Sequence, residues 1–167
     1  MTNKTRKISG SKADKIGNFE DSQISKALKV AVNAHEGQKD ESGEDYILHP
    51  LTVMTYCKTT PQKVTAILHD VVEDTDVTLE DLQKEGFPPE IVDAVDAMTH
   101  RPDEPNTDYW QRVSENEIAA AVKLADIKHN TLPERLNDLD PERKAWLTKK
   151  YKKAVEYITA HKKAGKN

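Results

Sequence analysis

Histidine and carboxylate side chains set among apolar neighbours draw attention to three short stretches of the chain. The first is "AILHDVVEDT", residues 66–75. On a helix, residues four apart lie one above the other, so His69 sits over Glu73 and Asp70 over Asp74. The polar face carries these four groups, and Val64, Ile67, Leu68, Val71 and Val72 make the apolar one. Buried carboxylates are costly unless they are paired or bound to a cation. A metal would meet that need, and so would a solvated helix end. The second stretch is "AAAVKLADIKHN", where Asp126 follows an apolar run broken only by Lys123, with Asn130 one turn on. Asp126 is either a buried acid or the start of an exposed helix end. The third is "ILHP", which sets His49 at a junction of loop and helix. There it either reaches a cleft or caps and packs. Two imidazoles and two carboxylates form a mixed nitrogen and oxygen set. Such a set suits Mn²⁺, Fe²⁺, Zn²⁺ or Ni²⁺ better than Mg²⁺ or Ca²⁺. A six-coordinate ion held this way keeps positions for water and a substrate oxygen, the arrangement that activates water and polarises a phosphoryl group.

Helices must position these groups. With 167 residues, the chain is long enough for one domain with a core. We expect a loose arm over 1–20, the domain over 21–160 and a tail over 161–167. Helical periodicity runs from about Asp21 to Glu36, with Ile24, Ala27, Leu28, Ala31, Ala34 and His35 on one stripe. Further helices are expected at "HPLTVMTYC", at "TPQKVTAILHDVVED" with Thr60 as its cap, at "TLEDLQKE" and at "PPEIVDAVDAM". "DYWQRVSE", "EIAAAVKLADIKHN" and "DPERKAWLTKKYKKAVEYITAH" complete the set, the last with Leu147, Tyr151, Ala154, Val155 and Ile158 as its inner stripe. No useful strand alternation is present, so the fold class is all-α, seven or eight helices in an irregular bundle. A net charge of −4 argues against a dedicated nucleic-acid binder and is compatible with a small anionic substrate. One cysteine, Cys57, excludes an internal disulfide and a cysteine zinc cluster. The chain lacks a signal-peptide core and an apolar run of roughly 20 residues. We expect a cytoplasmic protein with no membrane partner, and self-association is left open. "RPDEPNTDYWQRV", with Arg101, Tyr109, Trp110 and Arg112, is either a cleft wall or a surface helix.

"AHEGQKDESGEDYILHPLTV", "ILHDVVEDTDVTLEDL" and "VKLADIKHNT" resemble the HD superfamily of metal-dependent phosphohydrolases. Within it they resemble the hydrolase domain of the Rel/Spo family and the small stand-alone alarmone hydrolases. The resemblance spans about residues 22–160. It implies a helical bundle of the HD type and metal ligands at His49, His69, Asp70 and Asp126, with Mn²⁺ as the expected ion. Glu73 and Asp74 are implied to orient or deprotonate the attacking water. Asn130 and Ser42 are implied to touch the nucleotide, and His35 and Tyr46 to support the ligands. The implied reaction is removal of the 3′-pyrophosphate from guanosine tetra- or pentaphosphate. A phosphatase for another nucleotide and a non-catalytic helical module are the alternatives. No synthetase or regulatory domain is expected to follow. The sequence departs from the pattern at Asp40, where the family has a basic residue that packs on the base, and at Ile127-Lys128, where it has Arg-Leu. Lys39 or Lys128 is expected to offset Asp40, and arginine at position 40 to tighten substrate binding.

Overall fold

The computed structural model describes residues 22–137 and 139–162. The expected arm over 1–20 and most of the tail, 163–167, lie outside the described residues. Ten helices follow in order: α1 Gln23–Ala34, α2 Leu48–Tyr56, α3 Thr60–Leu68, α4 Val71–Asp74, α5 Leu79–Lys84, α6 Pro89–Met98, α7 Asn106–Glu115, α8 Glu117–Asn130, α9 Pro133–Leu136 and α10 Pro141–His161. Among the described residues, β structure is confined to one isolated bridge between Lys39 and Asp45.

Local chemistry explains most boundaries. Thr59, one residue before the expected cap, accepts from the Gln62 N–H while Gln62 reaches back, a capping box that also holds Pro61 in the first turn. Thr78 and Asp81 repeat the motif on α5. Ser22, Asn116 and Asp140 cap α1, α8 and α10. Two differences raise the helix number above the expected seven or eight. "LPERL" forms the short α9, and the helix expected to run through "TPQKVTAILHDVVED" is interrupted at His69-Asp70, leaving α3 and α4.

Helices α3 and α8 lie at the centre. Helix α3 packs on α1, α2, α6 and α8, and α8 packs on α2, α3, α6, α7 and α10. One apolar cluster joins Val53, Met98, Val113, Val122 and Ile158, and the other joins Ala27, Ala31, Ile67, Leu68, Leu82 and Ile91. Each large aliphatic side chain buried there contributes about 1.5–3 kcal/mol. The apolar face predicted for residues 64–72 is therefore the core face, except that Val72 is only partly buried. Ala154 and Ile158 bury the inner side of α10, whereas Val155 is exposed. Helix α1 ends at Ala34 and His35 is its C-terminal cap, buried as Ala27 and Ala31 of the expected stripe are.

Candidate metal centre and cleft

The break between α3 and α4 builds the first half of the site. Helix α3 ends at Leu68, and its last carbonyls lack intrahelical partners. His69 turns back so that its Nδ1 lies 2.7 Å from the Ala66 carbonyl. That nitrogen must donate, which leaves Nε2 with a lone pair aimed the other way. Asp70 follows in a widened turn at φ −101° and ψ −6°, and its Oδ2 lies 3.0 Å from His69 Nε2. Both residues keep right-handed helical backbone, His69 at φ −61° and ψ −30°, and their side chains reach the same place from one turn.

His49, near the start of α2, and Asp126, on α8, complete the group. His49 Nε2 lies 3.3 Å from His69 Nε2, 3.5 Å from Asp70 Oδ2 and 3.3 Å from Asp126 Oδ1. Asp126 Oδ1 is 3.9 Å from His69 Nε2. Ligands at right angles on an ion about 2.1 Å away are about 3.0 Å apart, so this spacing fits a shared divalent cation. His49, His69 and Asp70 alone form a triad whose ligand atoms all lie within 4.8 Å of one another. Asp126 is buried, which removes the reading of it as an exposed helix end.

The surroundings fix these ligands and demand positive charge. His49 Nδ1 lies 2.8 Å from His129 Nδ1. Burial, then the neighbouring His49, hold His129 down at about 4, so it is neutral and shares one hydrogen with His49 between their Nδ1 atoms. With that hydrogen on His49 Nδ1, His49 Nε2 is free to ligate. Burial opposes charge on His69, yet Asp70 and Asp126 draw it up to about 9. The carboxylates thus call for a cation between them, proton or metal. Lys123 Nζ donates to Asp126 Oδ2 at 2.9 Å, and Asn130 donates to Oδ1 at 2.6 Å. Burial works against both charges of that ion pair, but their attraction holds Lys123 well above and Asp126 well below the ordinary values. Tyr46 donates to Asp70 Oδ2 at 2.5 Å and lies 3.4 Å from Asp74 Oδ2, with its ring between those of His35 and His49.

The group sits at the inner end of a cleft of about 350 Å³. Glu73 enters it, with Oε2 accepting the His100 N–H at 2.7 Å, and burial raises its carboxyl above the ordinary value. Asp74 lies behind Tyr46, and Asn130 lines the cleft as expected. Lys128 does not: it is exposed, its ammonium 4.2 Å from the centre of the Tyr56 ring. Ser42 is exposed as well, and its backbone N–H donates to Asp40. The lysine that enters the site is Lys123, which in sequence read only as a blemish in an apolar run. His129 lies within the quoted "VKLADIKHNT" string, but no role is expected for it from its spacing. Arg135, Lys150 and Tyr151 also line the cleft, brought there by α9 and α10. From "RPDEPNTDYWQRV", Tyr109 and Trp110 form a wall. Arg101 pairs with Asp96, and Arg112 ties Glu104 to the Thr99 carbonyl.

Asp40 is not an unmatched charge. Its Oδ1 accepts the backbone N–H groups of Ser42 and Glu44 at 2.8 and 3.0 Å, and its Oδ2 lies 3.4 Å from Arg135 Nη1. Burial would raise this carboxyl, but the two N–H groups and Arg135 hold it below the ordinary value. The offsetting cation is therefore Arg135. Lys39 is paired with Asp45, and Lys128 lies over Tyr56. Glu41 pairs with Arg143 of α10 beside it. Both pairs face an outer cavity of about 270 Å³ that shares Tyr46, Asn130, Arg135 and Tyr151 with the cleft.

Known proteins are similar to this chain. A guanosine-3′,5′-bis(diphosphate) 3′-pyrophosphohydrolase of Borreliella burgdorferi is 42% identical over 88 residues, covering 48% of this chain and 13% of that protein. One of the same name from Spiroplasma citri is 33% identical over 142 residues, covering 72% of this chain and 18% of that protein. The chain thus spans less than a fifth of the length of these relatives. A solved structure of a metazoan ortholog of SpoT, described as hydrolysing ppGpp and playing a role in starvation responses, is similar with a TM-score of 0.68 at 25% identity, over 87% of this chain and 90% of that one. Residues 27–131, which run from the first core helix through the last ligand, match the HD domain. Taken with the all-helical bundle and the His49, His69-Asp70 and Asp126 cluster, that match means that the chain belongs to the HD domain family.

Proposed function

We propose that the chain is a metal-dependent phosphohydrolase that removes the 3′-pyrophosphate of guanosine 3′,5′-bis(diphosphate), acting in the cytoplasm with Mn²⁺. The observation that carries this reading is the His49, His69 and Asp70 triad, with Asp126 Oδ1 3.3 Å from His49 Nε2, beside a cleft lined by Lys123, Arg135 and Lys150. A cation-lined cleft over a nitrogen and oxygen ligand set suits a substrate with clustered phosphates. The two bacterial relatives carry the name of this activity, and the metazoan ortholog is described as hydrolysing ppGpp.

His49, His69, Asp70 and Asp126 would hold the ion, which when bound supplies Lewis acidity and lowers the pKa of water. The chain does the rest. Glu73 Oε2 is occupied by the His100 N–H, so Oε1 is the atom that takes a proton from water. Its raised pKa brings it closer to neutrality, where a general base works best. Asp74 and Asp70 share the Tyr46 hydroxyl, which steadies the carboxylates next to the reacting groups. Asn130 keeps Asp126 Oδ1 oriented and faces the substrate. Lys123 and Lys150 offset charge on the departing pyrophosphate. Because Asp40 stands where the family has a basic residue, other purine nucleotides are the second candidate substrates.

The test is release of pyrophosphate and guanosine 5′-diphosphate from guanosine tetraphosphate by Mn²⁺-loaded protein, beside a panel of other nucleotides. Turnover of a different nucleotide alone would overturn the substrate, and no turnover of any phosphoester with metal bound would overturn the enzyme.

A further inference from the structure

A second cavity, of about 450 Å³, opens beside the cleft between the start of α7 and the middle of α10. It shares Asn106, Trp110 and Lys150 with the cleft, so the two volumes meet. Its other walls are Thr107, Trp146, Lys149 and Lys153, with no carboxylate among its lining residues. That is unusual in a chain with 29 acidic and 25 basic residues. The segment "RKAWLTKKYKK", residues 143–153, carries six cations and no acid. Trp146 is 57% exposed, the most exposed large hydrophobic side chain among the described residues. The Lys150 ammonium lies 5.2 Å from its ring centre.

An indole left in water beside three lysines is a stacking platform with a local positive field. Nothing in the ligand cluster or the Glu73 chemistry uses it. We propose that this cavity is a nucleotide subsite, in which a base stacks on Trp146 and its phosphates meet Lys149 and Lys153. The inference extends the reading of the chain as a nucleotide hydrolase but stands on a separate cavity. The ligand class is a nucleotide with at least two phosphates. It arrives either as part of a substrate that spans both volumes or as a separate effector.

The probe is guanosine 5′-diphosphate, titrated by calorimetry into metal-loaded wild type, Trp146→Leu and the double variant Lys149→Ala/Lys153→Ala. Trp146 is exposed, so its replacement leaves the core intact. Each variant is expected to weaken binding about tenfold, the scale of one lost stack or of two exposed phosphate contacts. Inorganic pyrophosphate, which has no base, should lose affinity only in the double variant. Titrations of both variants that superimpose on wild type would overturn the subsite. Hydrolysis assays separate the two sources. A raised KM in the variants marks a spanning substrate, and an unchanged KM with weakened diphosphate binding marks an effector. If the wild type hydrolyses nothing but binding still depends on Trp146, the proposed reaction fails and the subsite stands.

Discussion

Asp40→Arg separates a reading made from the sequence pattern from one made from the folded loop. The pattern says that an arginine here restores a basic residue and lowers KM. The structure says that the substitution removes the acceptor around which residues 40–44 are folded. Two backbone N–H groups end on Oδ1, and the Arg135 guanidinium faces Oδ2. Both bonds are exposed, so each contributes about 1 kcal/mol net, about 2 kcal/mol for the pair. The Asp40 side chain is 10% exposed and Arg135 29%, so the ion pair is discounted toward the surface range of about 0–1 kcal/mol. The new arginine also meets Arg135 as a like charge. Together these give a loss of about 2–3 kcal/mol, a fall in Tm of about 5–10 °C for a domain of this size. Arg135 loses its anchor at the boundary of the two cavities, so KM should rise while kcat changes less. Asp40→Asn keeps one oxygen for the loop and should lose only about 1 kcal/mol. Differential scanning calorimetry and initial rates check both. An Asp40→Arg protein with unchanged Tm and a lower KM would refute this account and restore the pattern's.

Asp126→Ala takes an anionic ligand from the cluster and leaves Lys123 without its partner, so bound metal should fall well below one per chain by elemental analysis. Glu73→Gln keeps the metal and the His100 hydrogen bond, and should lower kcat by about 10²–10⁴-fold, with loss of metal instead marking a structural role. Glu104 is held at about 2, foremost by hydrogen bonds from Arg112. A depressed carboxyl stabilises the fold above its ordinary value of 4.5 and loses that contribution as pH falls towards 2. Glu104→Gln should therefore lower Tm at pH 7 and match wild type near pH 2, a convergence that thermal melts over that range would show or deny.

The four candidate ligands stand out in the sequence because their chemistry is local to short strings. His49 before a proline, adjacent His69 and Asp70, and Asp126 in an apolar run each break the pattern around them. The central place of α8 is legible for a related reason, since Ile118–Val122 is the longest unbroken apolar run, whereas that of α3 has no such signal. What could not be read was which charge meets which across the fold. Lys123 and Lys128 are both lysines of one helix, five residues apart. Their roles differ because α8 turns one into the cleft and the other onto Tyr56. Arg135 reaches Asp40 from 95 positions away. Helical spacing describes a residue's own helix and is silent on the neighbour that supplies its partner. Even the break at His69-Asp70 is invisible to periodicity, because the residues on either side keep helical spacing.

That break joins two duties in one side chain. The His69 imidazole stops α3 by taking the Ala66 carbonyl, and by the same bond it commits its other nitrogen to the ligand group. A replacement of His69 that removes the candidate ligand also removes the side chain that meets the Ala66 carbonyl at the helix end. A change at this one position therefore perturbs the helix end and the polar cluster together, whereas a change at Glu73 or Lys150 leaves the helix end as it is.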